Sequence, residues 1–219
     1  MDGIISWFDY IASRPDDILE ATWAHAKITL TVIVVATVFS VLLGVFVQRR
    51  PALRAFALSV SGIFLTIPSL ALFALFIPIV GTGNEPAMYA LFLYAILPIL
   101  RNTVTGLDSV PPAVVESAKG MGMGTLRQLA RIRLPLAWPI IMAGIRISTL
   151  ITVGIAAIAV LVGGDGLGTY IQSGLTRLGL PNSLESVWTG TAFTVLLGLV
   201  LDAALAGFQR VTTSKGLRM

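Results

Sequence analysis

The sequence predicts an all-α integral membrane protein with about five transmembrane helices. Three observations carry that prediction. Hydrophobic residues make up 56% of the chain and charged residues only 12%, whereas a soluble domain is about a quarter charged. Uncharged apolar runs recur at the length of roughly 20 residues that crosses a bilayer. The Lys and Arg residues gather between alternate runs, as they do in loops on the cytoplasmic side of a membrane.

Residues 1–24 form an N-terminal segment with Asp2, Asp9, Asp16, Asp17 and Glu20. It lacks the basic start and small-residue cleavage site of a signal peptide, so the chain is expected to insert uncleaved through its first span. Residues 28–47 are uncharged and give that span. Residues 55–80 give the second, long enough to tilt or to kink at Pro68, with a gate or a broken helix at Pro68-Ser69 as the less favoured alternative. The third, at about 85–103, has the shortest apolar stretch and needs its uncharged flanks to reach across. The fourth covers 138–162 with one charge, Arg146, and the fifth covers 187–209 with one charge, Asp202. His25, the only histidine, falls at the start of the first span, where an interfacial position is expected.

Five spans put residues 48–54, the 108–136 loop and the 211–219 tail on one side. These segments and their flanks hold Arg49, Arg50, Arg54, Arg101, Lys119, Arg127, Arg131, Arg133, Arg210, Lys215 and Arg218. The opposite side has only Arg14, Lys27 and Arg177 with most of the acids. The positive-inside rule makes the first side cytoplasmic, with the N-terminus outside and the C-terminus inside. The basic excess is therefore a membrane signature and does not point to nucleic acid. With no cysteine, neither a disulfide framework nor a thiolate metal site is available. No paired carboxylates, Ser/His set or metal cluster suggests catalysis, so neither catalytic residues nor a metal is expected.

The 108–136 loop is the most informative segment. Pro111 and Pro112 force a turn, and residues 113–120 favour a short helix with Glu116 near its start, where the helix dipole favours an acid. Gly120, Gly122 and Gly124 interrupt it. Residues 126–132 allow a second short helix, with Leu126, Leu129 and Ala130 on one face and Arg127 and Arg131 on the other. Leu134-Pro135 is expected to end that helix.

Within the loop, Glu116-Ser117-Ala118, then Gly122, then Ile132-Arg133-Leu134-Pro135 follow a spaced pattern. It resembles the cytoplasmic loop of ABC importer permeases: Glu-Ala-Ala, three residues, Gly, nine residues, Ile-x-Leu-Pro. Only Ser117 departs, small for small. The resemblance covers nearly the whole chain and implies the type I ABC importer permease fold over residues 25–210. It also implies that Glu116, Ser117, Ala118 and Gly122 meet a groove in an ATPase, with Ile132, Leu134 and Pro135 as scaffold. ATP and Mg would bind that ATPase dimer, and this chain would carry no cofactor. A second permease copy or paralogue, a separate extracytoplasmic binding protein and membrane lipid complete the implied partners, in a bacterial or archaeal cytoplasmic membrane.

Further segments look like the quaternary-amine osmoprotectant branch, which imports glycine betaine, choline and carnitine. They are Thr66-Ile67-Pro68-Ser69-Leu70-Ala71-Leu72, Leu97-Pro98-Ile99-Leu100-Arg101-Asn102-Thr103 and Ala143-Gly144-Ile145-Arg146. The run Gly163, Gly164, Asp165, Gly166, Leu167 and Gly168 looks the same. A methionine permease of similar architecture is the alternative cargo reading. An ion-coupled secondary transporter or channel is the alternative of another class, and it would need polar relays at mid-membrane depth.

Arg146 lies about 12 Å along its helix from Trp138, and Asp202 a similar distance from Arg210, at 1.5 Å per residue. Similar depth makes them a possible ion pair or a shared hydrated interface; separate snorkelling is the other outcome. The 163–168 run lacks the spacing and lysine of a phosphate loop. It reads as a periplasmic turn with positive backbone angles, with Asp165 capping a short helix at 167–178. Trp188, Phe193, Phe73, Phe76, Tyr89, Phe92 and Tyr94 are expected mainly to pack against lipid or other helices.

Overall fold

No water is present in a bilayer core to satisfy backbone N–H and C=O groups, so apolar runs form helices. The computed structural model describes residues 2–213 and is helical at every such run. Lys215 and Arg218 of the expected tail lie outside the described residues.

The helices are α1 (Asp2–Ala12), α2 (Pro15–Val47), α3 (Pro51–Thr66), α4 (Ser69–Val80), α5 (Asn84–Asp108) and α6 (Pro112–Gly120). After them come α7 (Thr125–Gln128), α8 (Leu134–Ala156), α9 (Gly168–Thr176) and α10 (Ser183–Thr212). A π turn, Leu129–Arg133, joins α7 to α8, and a 3-10 turn, Ala159–Val162, follows α8. Among the described residues, four helical stretches are long and apolar enough to cross a membrane: α2, α5, Thr125–Ala156 and α10. The pair α3 and α4 makes a fifth if counted as one span.

Several expectations need correction. The second span is not a kinked helix but a broken one, with α3 and α4 meeting at 100°. Ile67, before the proline, is extended (ψ 131°), as the clash with a following proline ring favours. The Tyr94 hydroxyl donates to the Ile67 carbonyl at 2.6 Å, which pairs a backbone acceptor at the break. The first span starts well before residue 28: the N-terminal segment contains α1, and α2 begins at Pro15 with Asp16 and Asp17 in its first turn. That is a favourable helix start, with proline at the first position and acids at the positive end of the dipole. The early start carries His25 inside the bundle. It is 1% exposed, with Nε2 3.0 Å from the Val153 carbonyl, and is not interfacial. The third span runs the full length of α5, and the fourth starts at Thr125 and ends at Ala156.

Helix α5 is the centre of the bundle. Ala87, Ala90, Leu91, Tyr94, Ala95, Ile99 and Leu107 on it are buried against α2, α4 and α8. The closest pairing is with α8, where Gly144, Ser148, Thr152 and Ala156 recur every fourth residue, all buried. Small residues at that spacing let membrane helices approach closely. A Cβ on Gly144 would lie 2.7 Å from the Pro98 carbonyl oxygen and 2.6 Å from Asn102 Cβ. One turn on, the Ser148 hydroxyl donates to the Ala95 carbonyl at 2.9 Å. The outward faces of α2 and α10 stay apolar, with Val34, Val38, Leu42, Leu196 and Leu199 exposed, as suits contact with lipid.

Helix α10 is registered on α8 by two polar contacts. Trp138 Nε1 donates to Thr212 Oγ1 at 2.8 Å. About two turns further into the bundle, Arg146 grips Asp202 bidentately, Nε to Oδ1 and Nη2 to Oδ2, each at 2.7 Å. The fork geometry suits guanidinium and carboxylate, and the pair neutralises two charges that are costly inside a membrane.

Two outcomes are expected. Gly144→Leu forces α5 and α8 apart, a change of the overpacking kind that costs about 1–3 kcal/mol. It lowers the melting temperature of the detergent-solubilised protein, and an unchanged melting curve contradicts the close contact. Arg146→Asp and Asp202→Arg each reduce the yield of folded protein in membranes, while the double swap recovers most of it. A swap no better than either single variant argues against the pair.

Candidate functional site: the loop between α5 and α8

The loop is built from its ends inward. Ser109 caps α5 with its backbone N–H to the Thr105 carbonyl. Pro111 (ψ 130°) turns the chain, and Pro112 opens α6 at the first helical position. Glu116 is in the middle of α6 and not near its start, because the helix begins one residue earlier than expected and has no acid in its first turn. Glu116 and Ser117 are exposed, whereas Ala118 is fully buried and so belongs to the inside of the loop.

The loop folds on itself around Ala118. The Met123 N–H donates to the Ala118 carbonyl at 3.1 Å, and the Gly122 N–H to the Lys119 carbonyl at 3.0 Å. Gln128, nearly buried, donates from Nε2 to the Met123 carbonyl at 2.6 Å. Gly122 makes the turn with φ +79°, a left-handed conformation that costs other residues about 1–2 kcal/mol. No atom lies within 4 Å of where its Cβ would sit, so the position is open to a neighbour.

Leu134-Pro135 does not end the second short helix, which runs on into α8. Proline inside a helix forfeits a backbone hydrogen bond. Here the π turn Leu129–Arg133 widens the helix just before it, and the Leu134 N–H reaches back to the Leu129 carbonyl. Ile132 and Leu134 are half-buried and Pro135 is exposed. Leu129 packs on the core, but Leu126 is 82% exposed, so the two do not share a buried face.

The base of the loop is braced on three helices. Arg133 Nη2 donates to Gln48 Oε1 at 2.7 Å and to the Leu107 carbonyl at 3.3 Å. Arg54 bonds Asp108 at 2.5 Å. Met121, 70% exposed, Leu126 and Val114 are the loop's exposed large apolar side chains among the described residues. The exposure of Met121 was missed in the sequence, although a methionine among three glycines was a usable signal. A braced base under an exposed, partly apolar tip can transmit a push to α5 and α8 together.

The opposite end of the bundle holds the glycine-rich turn. Gly163 (φ +87°) and Gly166 (φ +125°) have positive backbone angles, whereas Gly164 and Gly168 do not. Asp165 does not cap α9. Its carboxylate accepts from Asn84 Nδ2 at 3.0 Å, and its N–H donates to Asn84 Oδ1 at 2.8 Å. That reciprocal pair, with the Gly83 N–H on the Val162 carbonyl at 2.9 Å, ties the turn to the start of α5 and takes Asp165 away from the helix end. Among the expected aromatics, Phe73 and Tyr94 are core residues, Phe76 stacks on Tyr89 at 5.6 Å, and Trp188 is exposed.

Residues 17–213 match the family model described as "binding-protein-dependent transport system inner membrane component". The chain is 39% identical over 209 residues to the choline transport system permease protein OpuBB of Bacillus subtilis, covering 95% of this chain and 94% of that one. It is 40% identical to the glycine betaine/carnitine/choline permease OpuCB of the same organism, with the same coverage. The osmoprotectant import permease OsmW of Salmonella typhimurium is 36% identical, over 95% and 98% of the two chains. Among solved structures, an inward-facing MetNI methionine ABC transporter superposes with a TM-score of 0.76. Its 23% identity, over 90% of this chain and 96% of that one, speaks for the fold alone. The chain belongs to the family of binding-protein-dependent transport system inner membrane components.

Proposed function

We propose that this chain is the permease subunit of an ATP-driven importer for a quaternary-amine osmoprotectant of the glycine betaine, choline or carnitine type. The observation that carries the reading is the 39–40% identity, over 95% of the chain, to permeases named for those solutes. The methionine alternative rests on a solved neighbour at 23% identity and has fold likeness only. Family membership leaves no support for an ion-coupled carrier or channel.

In this reading the basic end of the bundle faces the cytoplasm, where the tip of the α5–α8 loop meets an ATPase subunit. Glu116, Ser117 and Gly122 are exposed for that contact, together with Met121 and Leu126. Ala118 holds the loop's shape from within. Closure of the ATPase dimer around ATP and Mg pushes the tip, and the Arg133 and Arg54 contacts pass the push to α2, α3 and α5. The chain performs no chemistry of its own. A second permease copy or paralogue completes the pathway, and an extracytoplasmic binding protein delivers cargo at the acidic end. The N-terminus lies outside.

Two measurements test this. Deleting the chain abolishes uptake of labelled glycine betaine, choline or carnitine at high osmolarity. Retained osmoprotectant uptake with loss of methionine uptake overturns the cargo assignment. Gly122→Leu leaves membrane insertion intact but lowers transport at least tenfold relative to ATP hydrolysed. Unchanged coupling refutes the docking role of this turn.

A further inference from the structure

Helix α1 is too short to span a membrane and yet leaves large apolar side chains uncovered. Its 11 residues reach about 16 Å, half of the roughly 30 Å of bilayer hydrocarbon. Ile4, Trp7, Phe8 and Ile11 follow the i, i+3, i+4, i+7 spacing of an apolar stripe, with Ile5 beside it. The protein covers only one edge of that stripe. Trp7 and Ile11 are half-buried, whereas Ile4, Ile5 and Phe8 are 60–64% exposed. Asp9, on the adjoining polar face, is exposed as well.

The contacts of α1 fix how it lies. Ser6 Oγ donates to Glu185 Oε1 and Trp7 Nε1 donates to Thr189 Oγ1, each at 2.9 Å. Both partners are in the first two turns of α10. At its other end α1 passes through Ser13 and Arg14 into the first turn of α2, where the Ile18 N–H donates to the Arg14 carbonyl at 3.2 Å. The first and fifth spans start on the same side of the bundle, so a helix that bridges their starts lies across the membrane normal. Trp188, beside Thr189, and Trp23, about two turns into α2, are both exposed. Tryptophan gathers at the boundary between lipid and water, and α1 is level with that boundary.

The apolar side of α1 continues into the lipid-facing surface. Ile11 lines an apolar groove of about 450 Å³ between α2 and α10, together with Ile18, Leu19, Phe193, Leu196 and Val200. Thr22 in the same wall presents no free hydroxyl, because its Oγ1 donates to the Ile18 carbonyl at 2.7 Å. Leu19, Leu196 and Val200 are exposed, so the groove opens onto the outward faces of both spans.

We propose that α1 is an interfacial helix docked in the bilayer leaflet at the acidic end, with Ile4, Ile5 and Phe8 among the acyl chains and Asp9 in the headgroup layer. Helices that bind membranes by charge carry Lys and Arg on the polar face, and α1 has neither. Its docking is apolar, steadied by the two bonds to α10, and does not depend on anionic lipid. Through the Ser13-Arg14 corner it holds the start of α2 at a set depth. The proposal needs only that α2 and α10 cross the membrane, and it is independent of the cargo.

The test is nitroxide accessibility. The chain has no cysteine, so one introduced cysteine carries a single label in an assembled complex whose other subunits are cysteine-free, in phosphatidylcholine nanodiscs. Molecular oxygen concentrates in lipid and a nickel chelate in water. The oxygen-to-nickel collision ratio is expected to be at least about fivefold higher for Phe8→Cys than for Asp9→Cys. Ile4→Cys matches Phe8→Cys, and Val38→Cys on the outward face of α2 gives the lipid reference. An equal share of phosphatidylglycerol leaves the contrast unchanged. Equal ratios at Phe8 and Asp9 put the helix in water and overturn the proposal. Exclusion of both reagents at Ile4 and Phe8 overturns it too, because a protein then covers this face: the second permease if exclusion persists without the binding protein, the binding protein if it does not. A contrast that appears only with phosphatidylglycerol overturns the apolar docking. Retained uptake by each labelled complex shows native assembly.

Discussion

The approach of α8 to α5 at Gly144 is the contact on which the rest of the structure depends. Between membrane helices the hydrophobic effect gives little net attraction, since lipid tails are as apolar as leucine. Association then relies on close packing and on hydrogen bonds between helices. A glycine lying against the Pro98 carbonyl supplies the first, and the Ser148–Ala95 bond supplies the second. Helices α2 and α4 pack on the α5 surface this pairing leaves open, and α10 joins from the α8 side through Trp138 and Arg146. The α5–α8 loop connects the two helices of that central pair. Whatever moves its tip acts on the most tightly joined part of the bundle.

The two ends of the molecule are built on different principles. At the basic end, long side chains reach across helices to backbone and carboxylate acceptors, and the loop has its own small interior around Ala118 and Gln128. At the acidic end, backbones approach closely at Gly163 and Gly168, and Asn84 and Asp165 bind each other reciprocally. The first design keeps the shape of the loop.

The spans were legible because each is an uncharged run near the thickness of the bilayer, and the Arg146–Asp202 juxtaposition was legible because depth follows from helical rise. The motif residues of the loop could also be located, but not their exposure. Ala118 fits the pattern as a contact residue, yet burial depends on how Met123 and Gln128 fold back, which spacing does not encode. The break at Pro68 was legible as the less favoured alternative to a kink, since its depth depends on Tyr94 arriving from another helix. The early start of α2 was written in Pro15, Asp16 and Asp17 and was overlooked in favour of hydropathy.

The π turn before α8 has a geometric result. Inserting one residue into an α-helix turns everything on its far side by about 100° about the axis, since 3.6 residues make a full circle. Leu126 lies just beyond that insertion and points outward, while Leu129 at its edge points into the core. The exposed surface of the loop is thus aimed by the count of residues in Leu129–Arg133 as well as by their chemistry. A lineage that gained or lost one residue there would keep every side chain of the motif and present a different side of it.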